Sequence, residues 1–175
     1  MKRSAELEKE AIIATASHMT AAARTAPKTR GIDNIEILTI DDENTKKLLV
    51  VKMAEIARKE TRPSFERDSN SIALSPVILV IGVASNPSGL NCGYCGYPTC
   101  EALKKSKGAC AYNSIDLGIA VSSAAAIANQ FRIDNRIMYS IGRACLDLKL
   151  FGIGVNQALG IPLSVTGKNP YFDRK

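Results

Sequence analysis

The chain of 175 residues has no tryptophan, few aromatic residues of any kind and a single histidine, His18. With so few rings, the core has to be built from Ile, Leu, Val and Ala. One imidazole excludes a metal centre built on several histidines, and His18 reads as structural. Long apolar runs are also missing. The longest, 76–84 and 117–128, fall short of the roughly 18 residues that a membrane-spanning helix needs, so none is expected. The formal charge is +6, but no dense basic run accompanies it: Lys46, Lys47, Arg58, Lys59, Lys104, Lys105, Lys107, Arg132 and Arg136 are dispersed. Such scatter argues against a nucleic-acid partner and suits an acidic redox partner. At the start, Glu6, Glu8 and Glu10 fall where the apolar part of a signal peptide should begin. No phosphate-cradling loop of Walker type is present, and Gly152-Ile153-Gly154 lacks the strand-turn-helix setting of a dinucleotide fingerprint.

What is there fits one globular domain spanning 1–175, with 46% hydrophobic against 23% charged residues. Ser4 is placed to cap a first helix carrying Glu6 and Glu8 in its first turn, which Pro27 then stops. Ile35 to Ile40 form a short strand, and the Asp41-Asp42-Glu43-Asn44 cluster starts a second helix running to about Lys59. Leu48, Leu49, Val51, Met53 and Ile56 are its expected buried stripe. The polar stretch 62–75, with Pro63, reads as a loop. Val77 to Ile81 is apolar at every residue, as in a strand covered on both faces. Helices follow at roughly 114–131 and 135–151, with Asp134-Asn135-Arg136 as a helix start, and a last strand at 161–165. The first of these helices is rich in small residues, including Gly118, Ala120, Ala124 and Ala128, which suits close helix packing within the subunit or across a dimer. Asp116 reads as an acidic first-turn residue placed for the helix dipole.

The chemistry is concentrated in Cys92, Cys95, Cys100 and Cys110, a C-x2-C-x4-C-x9-C spacing. Four clustered cysteines and one distant one do not read as a secreted disulfide framework, so reduced thiols in a cytoplasmic setting are expected. Four thiolates suit either an iron–sulfur cluster or a structural zinc. Zinc usually takes two C-x2-C-like pairs on either side of a spacer, and here only the first pair fits; three ligands within nine residues are common around a cubane. Gly93 and Gly96 leave the backbone free to approach inorganic sulfide. A continuous helix would carry Cys110 roughly 15 Å from Cys100. The spacing therefore predicts a helix of about two turns, with Pro98 in its first turn, broken near Ser106-Lys107-Gly108 with Gly108 making the reversal. Cys145 shares a helical face with Ile137, Ile141 and Leu148 and is expected to be a buried core thiol.

The run from Gly89 through Cys100, with Cys110-Ala111 and Ile115 to Ala120, resembles a prokaryotic family described as containing a ferredoxin domain. The resemblance implies a 4Fe–4S cluster on Cys92, Cys95, Cys100 and Cys110. A second resemblance lies in the order of helix, Ala26-Pro27, strand, helix, the strand from Pro76, the Asp116-to-Ala120 helix and Leu159-Gly160-Ile161-Pro162 followed by Val165-Thr166-Gly167-Lys168. This looks like a shortened flavin-dependent nitroreductase. It implies an α+β homodimer with a small sheet flanked by helices, holding FMN, and with the Cys-rich segment 86–112 inserted after a central strand. In that family Ala-Pro is followed by Ser and Asn, whereas here Lys28, Thr29, Arg30 and Gly31 follow; Arg24, Lys28 and Arg30 are the cations available to a flavin phosphate. The functional expectation is a 4Fe–4S electron-transfer protein, and a flavin-linked oxidoreductase if FMN is bound as well. Its rival is a non-catalytic four-cysteine module in which zinc or the cluster only shapes the loop for a partner.

Overall fold

The computed structural model describes residues 1–172. At its centre is a four-stranded antiparallel sheet in the order β1-β2-β4-β3, formed by β1 (Ile35–Ile40), β2 (Val77–Ala84), β3 (Asp134–Asn135) and β4 (Val155–Ser164). β2 is the hub, paired along its length with β1 (Ile37 opposite Ile81) and with β4 (Ile81 opposite Leu159). Its uniform apolarity follows from the two-residue alternation of a strand. Val77, Leu79, Ile81 and Val83 enter one core with Ile12, Met19, Leu117, Ala120 and Ala124. Ile78 and Val80 enter the other, with Leu49, Met53, Phe65, Ile72, Ile141 and Cys145.

Two helical layers therefore cover the sheet. The first consists of α1 (Ser4–Thr25) and α5 (Ala111–Gln130), the second of α2 (Glu43–Lys59), α3 (Pro63–Ile72) and α6 (Tyr139–Asp147). The small residues Ala120, Ala124 and Ala128 of α5 are buried with Ala16 and Ala23 of α1, so the small-residue face serves packing within the subunit.

Several expectations need correction. The N-cap of α1 is Arg3, without a side-chain cap, rather than Ser4. In α2, Asp42 does cap, accepting from the Thr45 N–H at 2.8 Å. Its buried face, however, is Lys46, Leu49, Met53, Ile56 and Ala57, and Leu48 and Val51 point to solvent on the opposite side. The segment 62–75 is not a loop: Pro63 opens α3, and Phe65, Asp68, Ser69 and Ile72 are buried at helical spacing. Two polar residues in that stripe hid it; Asp68 is paired by the Ser140 hydroxyl at 2.6 Å. Asp134 and Asn135 form the edge strand β3 instead of starting a helix, so α6 begins at Tyr139 and Ile137 lies outside it. The last strand begins at Val155, well before the expected start at Ile161; its first half is mostly only partly buried and carries the polar Asn156 and Gln157, which hid it.

Candidate metal centre

β2 delivers the chain at Ala84 into the loop that carries Cys92 and Cys95, followed by the seven-residue helix α4 (Cys100–Ser106) and then α5. The cysteine segment is thus inserted between the central strand and a core helix. Gly93 and Gly96 have φ of 75° and 82°, and the Gly96 N–H donates to the Gly93 carbonyl at 2.9 Å, closing a turn between the first two thiols. A Cβ at either glycine would meet nothing within 4 Å. Backbone conformation selects glycine here, and the space beside both remains open.

Three contacts fold this loop onto the residues that follow it. Asn91 brackets Cys100: its N–H donates to Cys100 Sγ at 3.4 Å, and its Oδ1 accepts from the Cys100 N–H at 2.8 Å. Tyr94, between Cys92 and Cys95, stacks on Tyr112 of α5 with ring centroids 5.7 Å apart. A Cβ at Gly108 would stand 3.5 Å from the Tyr97 ring. Asn91 is thereby joined to Cys100 and Tyr94 to Tyr112, and Tyr97 lies near Gly108, two residues before Cys110.

The break between Cys100 and Cys110 is where the spacing requires it, with α4 and α5 meeting at 86°. Its details differ from expectation. The helix begins at Cys100 rather than Pro98, with Thr99 as its N-cap, the Thr99 hydroxyl accepting from the Ala102 N–H at 3.1 Å. The left-handed residue that ends α4 is Lys107, with φ 56°, and not Gly108. Gly108 is needed for closeness: a Cβ there would lie 2.7 Å from Leu103 Cδ1, against the one buried side chain of α4.

Cys100 is the first residue of α4, and Cys110 is the N-cap of α5. Both residues sit at helix N-termini, where the first-turn N–H groups have no partner within the helix. No side chain caps α5, which leaves its first-turn N–H groups for the Cys110 sulfur. Cys92, Cys95 and Cys100 are partly exposed, Cys110 is buried, and all five cysteines are free thiols. Among the described residues no three His, Cys, Asp or Glu side chains stand close enough together to hold a metal ion. The thiols share a folded segment without being closed on one point.

The donor set fits an iron–sulfur cluster. It offers four soft thiols, open space beside two left-handed glycines, and a backbone N–H already directed at a cysteine sulfur. Orphaned polar atoms fit as well. Of the three buried side-chain atoms lacking a hydrogen-bond partner among the described residues, Ser164 Oγ lies at the β3 edge, but Ser88 Oγ and Asn113 Oδ1 bracket the cysteine segment. Sequence reasoning missed Asn91, Ser88 and Asn113; only the position of Asn91 next to Cys92 could have pointed to it.

The three cations named for a flavin phosphate already have partners. Arg24 pairs with Asp33 at 2.6 Å and donates to the Ile35 carbonyl. Lys28 binds the carbonyls of Ala23, Arg24 and Ala26, capping the end of α1. Arg30 donates to the Ser88 carbonyl at 2.7 Å. Asp116 has more than a dipole role: it is buried and accepts from the Thr29 N–H at 3.0 Å and from its hydroxyl at 2.9 Å. Thr29 and Arg30 thus hold both flanks of the cysteine segment. His18 is exposed and stacks on Phe131. Cys145 is fully buried among Ile141, Ala144 and Met138, and burial pushes its thiol up to about 12, so it is an inert core thiol as expected.

The sequence profile of a family described as uncharacterized protein containing a ferredoxin domain matches residues 106–174. The matched stretch holds Cys110 and Cys145 and begins beyond the other three clustered cysteines. An uncharacterized protein of Archaeoglobus fulgidus is 40% identical over 178 residues, covering 97% of this chain and 95% of the relative. Among solved structures, a nitroreductase with bound FMN from Desulfitobacterium hafniense DCB-2 matches at 14% identity over 89% of this chain and 78% of that one, with a TM-score of 0.64. An oxidoreductase containing FMN matches with a TM-score of 0.62, also at 14% identity, over 89% and 67% of the two chains. The nitroreductase-like α+β fold expected from the order of motifs is the fold observed.

Proposed function

The chain belongs to this family of proteins containing a ferredoxin domain, and on that premise we propose that it transfers electrons through a 4Fe–4S cluster held by Cys92, Cys95, Cys100 and Cys110. The family and the redox flavoproteins that share the fold support a redox role. The observation that carries the finer reading is the folding of the cysteine segment. Asn91 brackets Cys100, Tyr94 stacks on Tyr112, and the reversal at Lys107 returns the chain to Cys110 at the start of a long helix.

When bound, a 4Fe–4S cluster accepts and releases single electrons. The chain's own residues supply the rest. The four thiolates anchor it, the Asn91 N–H and the first-turn N–H groups of α5 offset negative charge on the sulfurs, and Arg30 and Thr29 hold the flanking backbone. Four protein ligands favour relay of electrons over substrate activation, which needs an open iron site. A cytoplasmic setting, which keeps thiols reduced, suits such a centre. Ile115 and Ile119, exposed on the outer face of α5, suit a second copy of the chain in a homodimer.

A flavin is a second reading because the fold is shared with FMN-holding proteins. Phosphate recognition by Arg24 or Lys28 would have to displace Asp33 or the α1 carbonyls, so no step is assigned to it.

Anaerobic purification followed by iron, zinc and acid-labile sulfide analysis tests the proposal, with the heat-released supernatant examined for flavin. Iron and sulfide in equal amounts are expected; stoichiometric zinc without sulfide would end the electron-transfer reading in favour of a structural four-cysteine module. Cys110→Ser should lose or convert the cluster, and Cys145→Ala should retain it. The opposite pattern would show that the fourth ligand is misassigned.

A further inference from the structure

Asn113 is 2% exposed, and its Oδ1 has no hydrogen-bond partner. A buried amide oxygen left unpaired is costly, and native structures leave few such atoms without a reason. Its position supplies one. Cys110 is the N-cap of the 20-residue helix α5, and Asn113 is the third residue within it. N-cap and N3 side chains face each other across the first helical turn, the geometry that a capping box exploits. No side chain caps α5, so Asn113 does not complete a box with a hydroxyl. Asn113 thus stands in the same first turn that Cys110 opens. Tyr112, one residue earlier, receives Tyr94 from the loop between Cys92 and Cys95, which closes that side of the turn.

We infer that Asn113 is a hydrogen-bond donor to the metal centre, directed at the Cys110 sulfur or at a sulfide beside it, and that it sets the reduction potential. The inference rests on the cluster reading given above. The two ends of a carboxamide have nearly the same shape, so a half-turn about its last torsion puts Nδ2, with its two N–H groups, where Oδ1 stands. Thiolate and sulfide accept hydrogen bonds and cannot donate them, so a donor is what the site requires. Hydrogen bonds to cluster sulfur stabilise the more negative, reduced state and raise the potential. Asn113 is therefore a positioning and tuning residue, distinct from the four ligands.

The test uses the full chain, purified anaerobically, as wild type, N113L and N113D. Leu removes the donor at similar volume, and Asp keeps the shape while exchanging the amide for an acceptor. Iron and sulfide content is measured first, then the midpoint potential by a redox titration followed by electron paramagnetic resonance. The expected result is retained iron and sulfide in at least one variant, with a reduced-to-oxidised ratio at fixed potential at least about tenfold below wild type, equivalent to about 59 mV for one electron. Chelator-treated protein supplies a readout without the cluster: N113L should unfold at the same temperature as wild type or higher, because it removes an unpaired polar group. Unchanged potentials in loaded variants would overturn the inference. So would failure of both variants to assemble the centre together with a lowered apo unfolding temperature, which would assign Asn113 to the fold of α5. Wild-type protein lacking iron and sulfide would overturn the cluster reading itself, an outcome separate from any behaviour of the variants.

Discussion

Cys110 and Cys145 are both buried thiols associated with helices, and their surroundings direct them to different chemistry. Cys110 stands at the N-terminus of α5, which no side chain caps, whereas Cys145 lies inside α6 among apolar side chains. Burial raises the Cys145 thiol from an ordinary value near 9 to about 12. The folded protein therefore holds this proton more tightly than the unfolded chain does. Below pH 9 both states are protonated and the group has no pH-dependent effect. Between about pH 9 and 12 the unfolded state ionises first, so stability is lost as pH rises, by about 1.4 kcal/mol per pH unit. Urea unfolding of the wild type against Cys145→Ala across that range should show the wild type losing stability relative to the variant. A constant difference would mean that the thiol is not desolvated. The partners of the cations proposed for a flavin phosphate are set by their surroundings in the same way. Arg24, Lys28 and Arg30 are cations at a helix end and in the loop after it, and nothing local reveals that Asp33, the α1 carbonyls and Ser88 take them up.

At the scale of elements, the contact between α6 and β4 is the tightest joint in the fold. A Cβ at Gly142 would stand 1.8 Å from the Ala158 carbonyl oxygen, and one at Gly160 would lie 2.2 Å from Ile141 Cγ2. Each glycine lets the other element approach, the first by admitting strand backbone against the helix and the second by admitting a helix side chain over the strand. The obstacle at Gly142 is backbone, which cannot rotate away. Gly142→Ala should therefore cost at least about 3 kcal/mol, at or above the upper end of ordinary overpacking. Thermal unfolding would show it as a large fall in midpoint, and a change of only about a degree would mean that α6 is free to slide on β4. Gly108 also admits a close neighbour, but there it is the end of the Leu103 side chain rather than backbone, while Lys107 makes the turn. Sequence reading assigns the reversal to glycine because glycine is the commonest residue at a left-handed helix end, but the packing around Leu103 claims that glycine first.

For the whole molecule, the sheet and its two helical layers form cores that do not involve the loop carrying Cys92 and Cys95. The loop is held by Asn91, a tyrosine stack and a few backbone bonds, and most of its residues are at least partly exposed. Loading the centre should accordingly leave the far-ultraviolet circular dichroism unchanged while protecting the segment 85–110 from limited proteolysis. Equal cleavage with and without the centre would show that its ligands are elsewhere. Much of this organisation was legible in the residues. The proposed ligand set rests on four thiols at short spacing, while the hub strand follows from unbroken apolarity between Val77 and Ile81, and the helix break from the arithmetic of a rise of about 1.5 Å per residue between Cys100 and Cys110. These are local properties, carried by side-chain type and by distance along the chain. Tertiary structure alone decided that 63–72 is helical, that Leu48 and Val51 face solvent, and that Asp116 anchors Thr29 across 87 residues. It also left Asn113 buried, with its Oδ1 unpaired, in the first turn of the helix that Cys110 opens. A partner or a burial is settled by which distant residues arrive next to a group, and that depends on how the elements pack.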